Sequence, residues 1–272
     1  MPTDMSNPAT LAKEVRRAVL GMVHRANASH VGGCFSMADI LAVLYGGWLR
    51  VRPDDPAWAD RDRLVVSKGH AAAAVYAVLS KVGFFPDSWL DGYCEDGQPL
   101  AGHVSSTGVP GVEVSTGSLG HGLSIGCGLA MGAQRTCPES RTVVILSDGE
   151  LDEGSIWEAA LFAGHHKLGQ LTAIIDFNKI QSFGAVTDVL CLDPLADKWR
   201  AANWDVQEID GHDHAAIAAA LADGGRSAGA PRALIAHTVK GKGVSFMEND
   251  LAWHYKSPDT AQLAAALAEL DA

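Results

Sequence analysis

The sequence predicts an α/β domain built on a doubly wound, mostly parallel sheet with helices on both faces. Three observations carry that expectation. Arg141–Ser147 (RTVVILS) and Leu171–Asp176 (LTAIID) are short apolar runs rich in β-branched residues, as in strands buried on both faces. Glu153–Lys167 (EGSIWEAALFAGHHK), between them, reads as a helix. The alternation of strand and helix then continues along the chain, as a parallel sheet with helical crossovers requires.

The elements follow in order. Leu11–Ala26 has apolar residues at helical spacing with basic residues between them. Ser36 followed by Asp39 reads as a near match to a capping box, opening a helix over Met37–Trp48. Pro53–Asp62 is a polar loop, and Arg63–Ser67 (RLVVS) is the first core strand. Lys68-Gly69-His70 opens an Ala-rich helix that runs to about Lys81. Residues 83–117 are rich in Gly, Pro, Ser and aromatics with little periodicity; a loop that long in a compact domain is usually functional. Beyond the two central strands come a helix near 195–202, a strand over Asp205–Asp210, a helix near 214–223, a strand over Arg232–Thr238 and a last helix near 258–270. No repeat, linker or low-complexity block interrupts them, so residues 1–272 are expected to form a single domain.

Composition narrows the function. The 272 residues suffice for one α/β domain with a full core, and 47% hydrophobic with 19% charged residues is ordinary for a globular protein. A formal net charge of −11 argues against nucleic-acid or anionic-membrane binding, although local basic groups and helix N-termini still allow a phosphorylated substrate. Cys34, Cys94, Cys127, Cys137 and Cys191 are scattered, with no C-x-x-C pair, so reduced thiols and a cytoplasmic location are expected. The start, MPTDMSNPAT, lacks the basic and apolar regions of a signal peptide. The weakly polar stretch Leu119–Ala133 is too short to span a bilayer.

The most informative feature is Asp148-Gly149 followed by Asn178. The carboxylate falls at the carboxyl end of one buried strand and the carboxamide just past the end of the next, where ligands bind in open α/β sheets. Both side chains are hard oxygen donors suited to Mg²⁺ or Ca²⁺, and Mg²⁺ is commonly completed by phosphate oxygens. The pair therefore suggests a metal–pyrophosphate anchor; the plainer alternative is a turn Asp and a turn Asn.

Ser147-Asp148-Gly149, Glu153-Gly154 and Asp176-Phe177-Asn178-Lys179-Ile180 together resemble the thiamine diphosphate motif of the transketolase family. Further signatures of that family recur in order: Asn27–Gly33 (NASHVGG), Ser67–His70 (SKGH), Gly102-His103, Ser115–Gly122 (STGSLGHG), and the segment from Thr238 to Trp253-His254. They cover almost the whole chain. The resemblance implies the thiamine diphosphate-binding fold, here its pyrophosphate-binding domain. It implies that Asp148, Asn178 and the backbone carbonyl of Ile180 hold the divalent ion, with Gly149 and Asn178 also binding the cofactor. His70 would contact the diphosphate, Leu119 would lie beside the thiazolium ring, and Gly117 would also bind the cofactor. His30 and His254 would sit near the reactive carbon and the donor sugar, with His254 also touching cofactor, and His103 near the donor's terminal hydroxyl. Histidine suits such work because it exchanges protons near neutral pH. His121 is a weaker candidate, and His24, His165, His166, His212, His214 and His237 read as surface or packing residues. Glycines 122, 126, 128 and 132 permit close helix packing as well as a bare loop for a flat cofactor, each costing about 1 kcal/mol of helix stability against Ala.

The chain departs from the family pattern at Ser147, where a Gly is usual, at Ser118 and His121, where Pro and Gln are usual, and at Gln181-Ser182-Phe183-Gly184. In full-length members an apolar side chain at the Ser182 position covers one cofactor face. The chemistry implied is transfer of a two-carbon ketol unit from a ketose (phosphate) to an aldose (phosphate), with the carbanion carried by thiamine diphosphate. The activating glutamate of the family belongs to a pyrimidine-binding domain that does not occur within these residues. The expectation is therefore the N-terminal subunit of a split transketolase, with a C-terminal partner subunit and an α₂β₂ assembly. Glu153 and Glu158 match carboxylates near the family's subunit interface and are candidates for a proton relay; the alternatives are a first-turn acid and a solvated side chain. Two other functions stay open: thiamine-dependent transfer to a carrier protein or unusual acceptor, and a non-catalytic regulatory subunit.

Overall fold

Successive residues of a strand face opposite sides of a sheet, and in the central strands of this chain both sides are apolar. The computed structural model, which describes residues 4–222 and 229–272, accordingly has a core on each face. Val143 and Ile145 enter one core and Val144 and Leu146 the other.

The chain begins with α1 (Pro8–Ala26), α2 (Val31–Ser36) and α3 (Ala38–Val43), followed by β1 (Arg63–Val66) and α4 (Ala72–Lys81). The long segment that follows holds one 3₁₀ turn, Asp87–Gly92, before α5 (Gly122–Thr136). Next come β2 (Thr142–Ser147), α6 (Gly154–His165), β3 (Leu171–Phe177) and a small hairpin of β4 (Ile180–Gln181) and β5 (Gly184–Ala185). Then follow α7 (Val186–Val189), α8 (Leu195–Ala201), β6 (Asp205–Asp210), α9 (His214–Ala220), β7 (Arg232–His237) and α10 (Thr260–Asp271). The main sheet has the order β1-β2-β3-β7-β6, and every pairing in it is parallel. Helices α1 to α4, α9 and α10 cover one face; α5, α6 and α8 cover the other. Among the described residues no helix is long and apolar enough to cross a membrane.

Register places the site. Ser147 pairs with Asp176, and Asp176 with Ala236, so β2, β3 and β7 end level with one another. The chain leaving each of them emerges on one edge, together with the loop after β1.

Three local expectations need correction. Helix α1 starts at Pro8 rather than Leu11, because the Asn7 carboxamide accepts the amides of Ala9 and Thr10 (3.0 and 3.2 Å) and Pro8 fits the first turn. Met37–Trp48 is not one helix: the chain is helical from Val31, breaks at Met37 and ends in a π turn over Leu44–Trp48. Ser36 and Asp39 do not cap it. Ser36 hydrogen-bonds the Gly33 carbonyl and Asp176, while Asp39 is buried against Arg16, His212 and His214. The helix expected near 214–223 ends at Ala220, and its expected last residue lies outside the described ones. The hairpin that carries Ile180 was not anticipated, since two-residue strands leave no periodicity to read.

Candidate active site

The level strand ends open into a cleft of about 230 Å³. Asp148 and Gly149 reach it from the end of β2, Asn178 from the end of β3 and Ile180 from the hairpin. His70 comes from the 3₁₀ turn after β1, and Gly117 and Leu119 from the loop before α5. His30, His103 and His254 close the other side. The ring of His30 lies 5.1 Å from that of His70, 6.1 Å from His103 and 5.1 Å from His254. The cleft thus gathers all the residues expected to touch metal, cofactor or donor. Glu153 and Glu158 lie outside it, both exposed, the first just before α6 and the second on it. Glu153 is at the N-cap position without a side-chain capping bond, rather than in the first turn; Glu158 borders a shallow groove between α5 and α6. His121 is exposed at the start of α5 and does not line the cleft.

Backbone geometry sets several of these groups. Asn27 takes a left-handed conformation (φ 48°) that ends α1, and His30 does the same (φ 74°) to start α2, its amide donating to the His254 carbonyl at 3.0 Å. The close approach of two segments of the chain after β1 demands Gly69: a Cβ there would fall 2.3 Å from the Thr116 carbonyl oxygen.

The charges interlock. Asp148 is buried, its oxygens accepting the amides of Gly149 (2.8 Å) and Lys179. Burial, reinforced by nearby Asp176, lifts its pKa to about 6. Asp176 is fully buried yet its pKa is held low, because Lys68 pairs with it and Ser36 and Thr238 donate to it. The Asn178 Nδ2 group also faces Asp176 (3.4 Å), while its Oδ1 accepts the Ile180 amide (3.2 Å), which fixes the orientation of the carboxamide. Lys240 spans the cleft: its Nζ donates to the Ile180 carbonyl (2.9 Å) and to His254 Nδ1 (3.0 Å). Burial lowers the Lys240 pKa to about 8.

Three of these histidines, His30, His70 and His254, are held in the neutral form at pH 7. Burial, with the positive groups around them, lowers His30 to about 4 and His254 to about 3, and puts His70 well below the usual histidine range. Because His254 Nδ1 accepts from Lys240, its proton is on Nε2.

A divalent cation fits this donor set. Asp148, Asn178 and the Ile180 carbonyl are hard oxygen donors on one wall, and an ammonium already sits on that carbonyl. A metal ion would relieve the burial of the Asp148 charge, leaving Lys240 to face an anion.

Sequence reasoning missed Lys68, Lys240 and Asp176. The signal available for Lys68 was a lone lysine straight after an apolar strand, within the Ser67–His70 motif; for Asp176 it was a carboxylate ending an otherwise apolar run. The histidines His212 and His214, expected to be surface or packing residues, both bind Asp39 at 2.8 Å. His212 Nε2 also accepts the amide of Val239, the residue before Lys240.

Comparison with known proteins agrees with this geometry. Residues 8–268 match the family model described as transketolase, thiamine diphosphate binding domain. The 6-deoxy-6-sulfo-D-fructose transketolase subunit SqwG of Clostridium sp. (strain MSTE9) is 41% identical over 260 residues, covering 96% of this chain and 94% of that protein. An apulose-4-phosphate transketolase subunit of Phocaeicola vulgatus is 41% identical over 255 residues, covering 94% and 90%. The transketolase of Leishmania mexicana superposes with a TM-score of 0.91 at 30% identity over 97% of this chain, which spans only 41% of that longer one. The chain belongs to the transketolase family, within which it corresponds to the N-terminal, thiamine diphosphate-binding part.

Proposed function

We propose that this chain is the cofactor-binding subunit of a two-chain transketolase, moving a two-carbon ketol unit from a ketose (phosphate) to an aldose (phosphate). The observation that carries the reading is the convergence of an oxygen-donor wall and four histidines in one cleft. Relatives named as transketolase subunits support a separate C-terminal partner, which in this reading brings the activating glutamate. An α₂β₂ assembly follows from pairing two such heterodimers. The exposed Glu153 and Glu158 would then be available to a relay between sites. Both relatives act, by name, on sugars bearing an anionic group, which favours sugar phosphates or similarly charged substrates here. Five scattered free cysteines suit a cytoplasmic setting.

In this reading Asp148, Asn178 and the Ile180 carbonyl hold Mg²⁺, or Ca²⁺, and Lys240 and His70 face the diphosphate. Thiamine diphosphate, when bound, would supply the carbanion-stabilising chemistry that ketol transfer requires. Gly117 and Leu119 would help hold it from the loop before α5. Neutral His30 and His254 accept or donate protons at the sugar hydroxyls, and His103, at the mouth, holds the donor's far end. Calorimetric titration of thiamine diphosphate with Mg²⁺ into the chain alone, and with its neighbouring-gene partner, tests this alongside ketol-transfer turnover. Turnover only with the partner is expected. Turnover by the chain alone would remove the two-chain reading, and cofactor binding without ketol transfer in the pair would favour a carrier or unusual acceptor.

A further inference from the structure

Glu150 is fully buried on the 3₁₀ turn Gly149–Asp152 and does not line the cleft. Its partners are neutral donors from three separate parts of the chain. Ser67 Oγ and the Gly120 amide (2.8 Å) donate to Oε1, and the Ser147 amide (3.2 Å) donates to Oε2. Ser67 Oγ in turn accepts the Gly122 amide at 3.0 Å. Burial raises the Glu150 pKa, while the converging donors favour the ionised form.

These contacts fall where the site is assembled. Ser67 ends the segment that turns into His70, Ser147 precedes Asp148, and Gly120 and Gly122 belong to the loop that presents Leu119. That loop has no regular structure before Gly122, and it has little side chain to hold it. Gly120 has a positive φ of 89°, and a Cβ there would fall 2.5 Å from Ser155 Oγ; a Cβ at Gly122 would fall 2.2 Å from Ser67 Oγ. The loop is therefore held by its backbone: the Gly120 carbonyl by Ser155 (2.9 Å), and the amides of Gly120 and Gly122 by Glu150 and Ser67.

We propose that Glu150 is a positioning residue that locks the Gly117–Gly122 loop in register with the Ser147–Gly149 turn, so that the ring and the diphosphate of one cofactor are met at the same time. This rests on the cofactor reading above. A glutamine cannot replace it: its oxygen satisfies one side, while its NH₂ group confronts a backbone N–H on the other.

The test uses the full chain with its partner, in wild-type, Glu150→Gln and Ser67→Ala forms. The probes are thiamine diphosphate with Mg²⁺, inorganic pyrophosphate with Mg²⁺, and hydrogen exchange of the 117–122 segment. Glu150→Gln should weaken thiamine diphosphate at least tenfold, leave Mg²⁺-pyrophosphate within about twofold, and speed exchange of 117–122 at least tenfold. Ser67→Ala, the milder change, should shift the first and third readouts in the same direction. Equal loss of both probes would mark Glu150 as a general structural residue and overturn the proposal. Unchanged cofactor affinity with unchanged exchange would do the same. If the wild-type protein binds neither probe, the cofactor reading fails, and loop exchange alone then decides whether Glu150 anchors the segment.

Discussion

Replacing Lys68 with Met removes the cation from a carboxylate that has no access to water. Both partners are nearly inaccessible, with side chains 1% and 0% exposed. Asp176 keeps Ser36, Thr238 and the Asn178 amide as donors, but its charge is left unpaired beside Asp148. Breaking a buried pair from one side typically costs about 3–5 kcal/mol, because the desolvation penalty remains and the attraction is gone. Lys68 also donates to the Gly33 carbonyl at 2.9 Å, which leaves a second group short of a partner and favours the upper part of that range. Asp176→Asn should cost a similar amount, since it strands the lysine. The double variant Lys68→Met/Asp176→Asn removes both charges and should recover much of the loss, giving a coupling of at least about 2 kcal/mol. Urea unfolding of the metal-free chain, followed by tryptophan fluorescence, measures all three. A single variant within about 1 kcal/mol of wild type, or a double variant whose loss is the sum of the two, would refute the argument that this pair holds the floor of the site.

Three further outcomes are expected. Asp148→Ala should abolish Mg²⁺-dependent binding of thiamine diphosphate in calorimetry; unchanged affinity would remove the metal assignment. His103→Ala should lower donor turnover tenfold or more, about 1.4 kcal/mol for one lost hydrogen bond, with cofactor affinity little changed; a large loss of cofactor binding would mean that the residue is misplaced. Asp148, with its pKa raised to about 6 in the folded chain, must lose its proton to bind metal. Apparent Mg²⁺ affinity should therefore be level above that pH and fall as pH drops through it, approaching tenfold per unit. For stability the sign is opposite: a carboxyl raised above its unfolded value favours the folded metal-free chain at low pH and loses that contribution as pH rises through about 6. Mg²⁺ titrations between pH 5 and 8 check the first, and Asp148→Asn, which removes the titration, should flatten the corresponding part of the metal-free stability profile.

Local pattern carried most of the architecture. Four of the five main strands were legible because each is a short run buried on both faces, so its composition alone marks it. Even β6, whose residues are half exposed at the sheet edge, was bounded by turns that delimited it. The residues that line the cleft were legible because the motifs that resemble the transketolase family keep their order along the chain. Where sequence failed, the cause was contact at a distance. Ser36 and Asp39 have the spacing of a capping pair, yet they serve Asp176 in one case and Arg16, His212 and His214 in the other, partners far away in sequence.

What the sequence determined by itself is the alternation of elements and the chemical types at the strand ends, since both are written in neighbouring residues. Only the tertiary structure decided which distant charges meet. Lys68 finds Asp176 across the sheet, Lys240 comes to rest on the Ile180 carbonyl, and Glu150 gathers the ends of β1 and β2 and the start of α5. A buried charge must find its partner wherever the fold brings one, and that choice depends on strand order and register, which local sequence does not encode.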